Sequence, residues 1–356
     1  MPDPAPLLLA LVRTPSVSGD ERAVAEKLAQ WARDEGLAVA LDDAGVSIEV
    51  PGRAPGPTLW LASHLDTVPV GEGWARDPFA GIVEDGVLHG RGASDAKASV
   101  AAMACAAGAL ARKGGPARGK LVVVATFGEE TARTTMPLAI LRLGRPDAAI
   151  VGEPTSLEPC VAQRGLVILR LHWRGTAGHA GWAAANPGAA DNAIEKGARD
   201  LARLAALRFD KEHATLGWTG MTMTRIEGGR AANVVPEACT ATLDIRTTPA
   251  YEPEEVVAAI AREVPSAEIE IVSRRFLPCA TPPDSRLLPA VMAARAGSKP
   301  FGSPTASDWV FLRDVDAVKL GPGDSRRSHT NEEQVSIATV QEAARVYATI
   351  AREYLS

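Results

Sequence analysis

The sequence predicts an α/β fold: a mixed, mostly parallel sheet flanked by helices, interrupted by a small two-layer β-α-β-β-α-β (ferredoxin-like) domain. Three observations predict it. Short apolar runs alternate with helical stretches over the first 150 residues. One of those runs, Lys120–Phe127 (KLVVVATF), is unbroken, as a strand buried on both faces of a sheet requires. From about Arg164 the pattern changes to longer strands around two helices, until Pro278, Pro282 and Pro283 mark its end. A chain of 356 residues also exceeds the roughly 100–200 of one domain. The expectation is therefore a discontinuous domain, residues 1–160 and 279–356, with residues 161–278 inserted.

Taken in order, the first segment reads as helix. Pro15 and Gly19 break it, and Ser18 or Asp20 is placed to cap a second helix through Val24, Leu28 and Trp31. Thr58–Ala62 reads as a strand bounded by Pro57 and Ser63, and Ala98–Ala111 is alanine-rich helix material. Strands come next at Lys120–Phe127 and Ala148–Val151. The inserted part reads as strand Leu166–Trp173, helix Ala189–Leu207, strands Trp218–Glu227 and Val234–Thr247 about the Gly228–Gly229 turn, a helix from Pro253, and strand Glu268–Ser273. The tail resumes with helix Ser285–Ala296, strand Ala317–Leu320 and helix Ile337–Tyr354.

Composition excludes several classes of function. With 46% hydrophobic and 23% charged residues the chain is neither disordered nor fibrous. A net charge of −5 leaves no global electrostatic footprint for nucleic acid. The longest aliphatic runs fall far short of the ~20 residues that span a bilayer. Pro2, Pro4 and the lack of a basic stretch make the N-terminus a poor secretion signal. Cys105, Cys160, Cys239 and Cys279 are scattered singly, so the expectation is a cytoplasmic protein with reduced, buried thiols. Gly114 to Lys120 spells GxxxxGK, but Leu121 stands where a phosphate loop needs Ser or Thr, and the segment precedes a strand.

Ligands of parallel α/β sheets bind outside the carboxyl ends of the strands. The segments at those ends are Ser63-His64-Leu65-Asp66, Gly90-Arg91-Gly92 to Asp95-Ala96-Lys97, Gly128-Glu129-Glu130, Gly152-Glu153-Pro154, and Gly321 to Asp324 with Ser328-His329-Thr330 beyond. Every one delivers a carboxylate or an imidazole. That donor set suits zinc, with manganese or cobalt as substitutes. Four carboxylates and two imidazoles exceed the needs of one tetrahedral ion. They fit two ions roughly 3.5–4 Å apart that share one carboxylate, with another left as a base. Asp66, two residues from His64, is placed to bond the far ring nitrogen and fix its tautomer.

These segments together resemble the dizinc aminoacylase and exopeptidase family, which includes acetylornithine deacetylase, succinyl-diaminopimelate desuccinylase and carboxypeptidase G. The resemblance covers the whole chain and identifies the insert as a lid or dimerisation domain. It implies His64 and Glu153 as ligands of one Zn2+, Glu130 and His329 of the other, Asp95 as the bridge, Glu129 as general base and Asp66 as the partner of His64. Within the insert, Gly175 to Gly181 resembles the stretch whose histidine, here His179, reaches a neighbouring subunit's site and stabilises an oxyanion. Asn233 and Arg246 resemble the substrate-gripping pair, Arg246 suiting a carboxylate. One departure is Ala98, where the family usually has glycine after the Lys97 position. His89, His172 and His213 lie in no motif and read as structural.

The resemblance implies a homodimer and amide hydrolysis. The stretch Gly321 to Ser325 before His329 resembles the branch that releases lysine or ornithine from the γ-glutamyl end of an acidic amino-group carrier protein. Arg326-Arg327 offers that carrier, or a substrate carboxylate, a basic contact. The alternative is a deacetylase or desuccinylase acting on a small N-acyl amino acid.

Overall fold

The structure, a computed structural model, describes residues 1–131, 133–186 and 188–356. It divides into two compact units, residues 1–162, 280–301 and 307–356 in one, and residues 163–279 with 302–306 in the other.

The first unit is built on a mixed sheet. Its spatial order runs Ala38–Asp42, Gly45–Pro51, Lys120–Thr126, Thr58–His64, Ala148–Val151, Asp316–Lys319, Cys160–Gln163. The four central strands are parallel, with Leu61 opposite Val123 and Ile150, and Val318 opposite Ile150. Strands at both flanks run antiparallel. The antiparallel hairpin 38–51 is not among the elements predicted from the sequence. Its outer strand is half exposed, although it begins with the apolar run Ala38–Leu41.

Helix Lys97–Ala111 is buried along nearly its whole length, because alanine side chains let neighbours approach it from every side. It packs against the sheet and against helices Pro4–Val12 and Ile337–Tyr354. Ala98 is fully buried at its start. All four cysteines are buried.

The second helix corrects one expectation. It spans Arg22–Asp34, and no side chain caps it. Ser18 Oγ instead donates to Asp66 Oδ2 at 2.7 Å, so a residue that reads as a cap is drawn to the carboxylate cluster. Helix Leu287–Ala294 is also shorter than the run that predicts it.

The second unit carries a four-stranded antiparallel sheet in the order Gly220–Gly228, Ala238–Thr247, Gly165–Arg174, Glu268–Phe276. Helices Ala193–Leu204 and Pro253–Glu263 supply apolar residues to its core, among them Leu201, Val256 and Ile260 beside Leu169, Leu171 and Leu243. Alternation along Gly165–Arg174 is regular, every second residue being buried, as one covered face requires. Two predicted runs are interrupted. Val234–Val235 is separated from Ala238–Thr247 at Pro236, which has no N–H for a ladder. The helix expected from Ala189 starts at Ala193, where Asn192 Oδ1 accepts from the backbone N–H groups of Ile194 and Glu195 at 2.9 and 3.3 Å.

Candidate metal centre

The parallel strands of the first unit end side by side, and the residues just beyond them converge. His64 closes strand Thr58–His64, paired with Thr126 at the end of Lys120–Thr126. Gly128 then turns the chain at φ 66°, and a Cβ there would stand 2.7 Å from the Arg133 carbonyl oxygen, so only glycine presents Glu129 and Glu130 this way. Gly152 precedes Glu153 under similar pressure, since a Cβ would stand 2.6 Å from the Met103 side chain.

His64, Asp95 and Glu130 each offer a ligand atom, and these atoms lie within 4.8 Å of one another. Asp95 faces two imidazoles with different oxygens: Oδ1 is 3.3 Å from His64 Nε2, and Oδ2 is 3.6 Å from His329 Nε2. Glu153 Oε1 lies 4.0 Å from His64 Nε2, and Glu130 Oε1 lies 3.0 Å from His329 Nε2. The donors therefore group as His64 with Glu153 and Glu130 with His329, with Asp95 between them. His329 is half exposed, and its φ of 65° is left-handed, a conformation that costs a non-glycine residue on the order of 1–3 kcal/mol.

Asp66 does more than the sequence suggested. Its Oδ1 is 3.3 Å from His64 Nδ1, whose nearer neighbour at 3.0 Å is the Asp66 backbone oxygen. The same carboxylate accepts from the backbone N–H groups of Glu129 and Glu130, each at 3.0 Å, and from Ser18. One side chain thus orients the imidazole and the glutamate doublet together.

The charge balance tests whether a cation fits. Burial, then the neighbouring Glu153 carboxylate, pushes Glu129 well above the usual carboxylate range. Burial and the adjacent Asp95 push Glu153 up to about 8. Burial alone would lower His64, but hydrogen bonds to Asp66 and Asp95 outweigh it and hold the imidazole well above its ordinary value. Burial would raise Asp66, yet its bond to His64 brings it down to about 2. Against its burial, Asp95, like Asp66, is held low by its bond to His64, whereas Glu129 and Glu153 retain protons unless further positive charge is supplied. A divalent cation is that charge, and the oxygen and imidazole donors suit it.

Three further buried residues stand around the cluster, and of them only Lys97 lies in a segment the sequence singles out. Glu333 accepts from the backbone N–H groups of Ser94 and Asp95, both at 3.0 Å, and pairs with Arg91 at 2.7 Å. Asp308 accepts from Thr134 Oγ1 at 2.7 Å, and burial raises it to about 6. Lys97 donates its ammonium to the Leu11 and Thr14 carbonyl oxygens at 3.0 and 2.9 Å. Glu333 and Asp308 are distinguished from surface charges by their burial.

The other predicted residues lie in the second unit. His179 Nδ1 accepts from the Trp182 backbone N–H at 3.3 Å, capping the short helix Ala180–Ala185. Gly178–His179 pairs with Val234–Val235, and the Asn233 carbonyl oxygen accepts from Ala180 N–H at 3.0 Å, so His179 and Asn233 share one exposed corner. Arg246 is exposed, with Nε 2.8 Å from Asp244 Oδ1. His172 bonds Glu270 at 2.9 Å. His213 Nδ1 accepts from Thr215 N–H at 3.3 Å.

Comparison with known proteins places this arrangement. A succinyl-diaminopimelate desuccinylase of Methylobacterium sp. (strain 4-46) is 31% identical over 394 aligned positions, covering 99% of this chain and 96% of that protein. The corresponding enzyme of Rhizorhabdus wittichii is 30% identical, covering 100% and 99%. The crystal structure of aminopeptidase PepT from Bacillus cereus superposes with a TM-score of 0.78 at 20% identity, over 99% of this chain and 98% of the other. The model of peptidase family M20/M25/M40 matches residues 60–353, and the chain belongs to that family.

Proposed function

We propose that the chain hydrolyses the amide bond of a small N-acyl amino acid, with an N-succinyl-diaminopimelate-type substrate as the leading reading, at a centre of two Zn2+ ions. Family membership makes it a metal-dependent hydrolase of amide bonds. The observation that carries the site is the placement of Asp95, with one oxygen toward His64 and the other toward His329. His64 and Glu153 would hold one ion and Glu130 and His329 the other, with Asp95 shared. Bound metal supplies Lewis acidity to the scissile carbonyl and to the attacking water.

The chain's own residues do the rest. Asp66 holds the His64 ring and fixes both backbone amides of the glutamate doublet, so Glu129 is presented rigidly. Glu129, as the carboxylate, accepts the proton of the attacking water and returns it to the leaving amine; the burial that raises its affinity for a proton favours that transfer. His179, in a dimer joined through the second unit, donates to the carbonyl oxygen as it becomes negative. Arg246 and Asn233 grip the substrate's carboxylate end.

The curated relatives favour the desuccinylase reading over release of lysine or ornithine from a carrier protein. The basic pair invoked for a carrier also has local partners. Arg326 Nε and Nη2 lie 3.0 and 2.8 Å from Asp324, and Arg327 lies 4.0 Å from Glu332. The test is one preparation assayed on N-succinyl-diaminopimelate, acetylornithine, acetyl-lysine and a lysine-carrier conjugate. The highest kcat/KM is expected for the succinyl substrate; a higher value for the conjugate would overturn the substrate assignment.

A further inference from the structure

Asp95 and His329 are separated by more than 230 residues, yet both must address the same metal centre. Strand Gln334–Ser336 docks antiparallel on Val87–His89, with Gln334 opposite His89. That pairing brings Glu333 against the loop that carries Asp95, and Gly90 N–H donates to the Glu333 carbonyl oxygen at 3.1 Å. The Glu333 side chain then enters the loop and is only 1% exposed. Its Oε1 accepts from the backbone N–H groups of Ser94 and Asp95, both at 3.0 Å, and its Oε2 accepts from Arg91 Nη1 at 2.7 Å. Arg91 is itself buried and lies 5.2 Å over the Trp74 ring, so the pair cannot drift.

A carboxylate buried this deeply is costly unless every lone pair it exposes is used. Here the compensating donors are the amide of a candidate metal ligand and the amide before it. The same residue lies four positions after His329. The Glu333 side chain therefore ties the Asp95 turn itself to the loop bearing His329, beyond the strand pairing that brings the two stretches together.

We propose that Glu333 is a positioning residue that sets Asp95 and His329 in register for the metal centre. The inference rests on the metal-centre reading of the cluster. Groups that orient metal ligands without touching the ion change metal affinity by about 10–100-fold when removed. The part of Glu333 that matters here is the oxygen accepting from the two amides.

Three variants separate that role from a merely structural one. Glu333→Gln keeps an oxygen for the amides and gives up the charge opposite Arg91. Glu333→Asp keeps the charge and withdraws the oxygen by one methylene. Glu333→Met removes both. Each would be titrated with Zn2+ against a chromophoric chelator, and the metal-free proteins checked for a cooperative unfolding transition. The expected result is Zn2+ affinity about 10–100-fold weaker in Glu333→Asp and Glu333→Met, with Glu333→Gln restored to within about threefold of the unaltered protein. Should Glu333→Met not fold, Glu333→Asp against Glu333→Gln decides. Unchanged affinity in Glu333→Asp, or equal loss in Asp and Gln variants, would overturn the proposal. Failure of the unaltered protein to bind Zn2+ would overturn the metal-centre reading itself and this inference with it.

Discussion

The two units hold their candidate residues in opposite ways. In the first, His64, Asp66, Asp95 and Glu130 are fixed by bonds that cross long stretches of chain, such as Asp66 to Glu130 and Glu333 to Asp95. In the second, His179 bonds Trp182 three residues away and Arg246 bonds Asp244 two residues away. Burying several carboxylates together costs free energy that a fold does not spend on surface decoration, so the first cluster signals chemistry by its own energetics. Exposed residues bonded to near neighbours carry no such signal. The roles of His179, Asn233 and Arg246 therefore rest on substrate and partner, and must be tested there.

The sharpest way to break this contrast is Glu129→Gln. The expected outcome is a fall in kcat of about 10²–10⁴-fold with metal content unchanged, measured by steady-state kinetics and elemental analysis of one preparation. Near-native kcat would remove Glu129 as the base. His179→Ala probes the other unit. Loss of an oxyanion donor should lower kcat by about 10²–10³-fold and leave KM close to its starting value. A variant that loses only the cap on Trp182 would show a small drop in thermal stability and full activity, and the second unit would then hold no catalytic group at this position.

A smaller effect sharpens the electrostatic side of the comparison. Glu153 is raised to about 8 and His64 well above its ordinary value in the metal-free protein, so both hold protons at neutral pH that must leave before they can ligate. Metal affinity should therefore rise with pH from pH 6 to pH 8, where Glu153 holds its proton, by about tenfold per unit for each proton released. Calorimetric titration with Zn2+ in buffers of different ionisation enthalpy measures the protons released. Affinity independent of pH over that range would mean the carboxylates are not crowded as the structure places them.

Much of this molecule is legible in its sequence, and the exceptions share a cause. Strand Ala148–Val151 is marked by its apolar run ahead of Gly152 and helix Ile337–Tyr354 by its helical periodicity, and the structure places them at the same residues. The hairpin 38–51 is not, although its outer strand carries the apolar run Ala38–Leu41, because a short alanine-containing run that ends half exposed does not distinguish strand from helix. Glu129, Glu130 and Glu153 are legible because they lie just past parallel strands, and His64 because it closes one; Asp95 follows Val87–His89 of a separate antiparallel sheet, and His329 lies in the loop well beyond Asp316–Lys319. Glu333 and Asp308 are buried, and they and Ser18 bond to groups far along the chain, which linear sequence does not display. Glu333 in particular sits beside Glu332 in a polar run that reads as solvated surface.

The most direct test of the two-metal centre is the metal stoichiometry of the unaltered protein, by equilibrium dialysis against Zn2+ and then elemental analysis. About two ions per chain are expected. No bound ion after zinc supplementation would contradict the two-metal centre, and would leave the convergence of His64, Asp95, Glu130, Glu153 and His329 without a chemical reason.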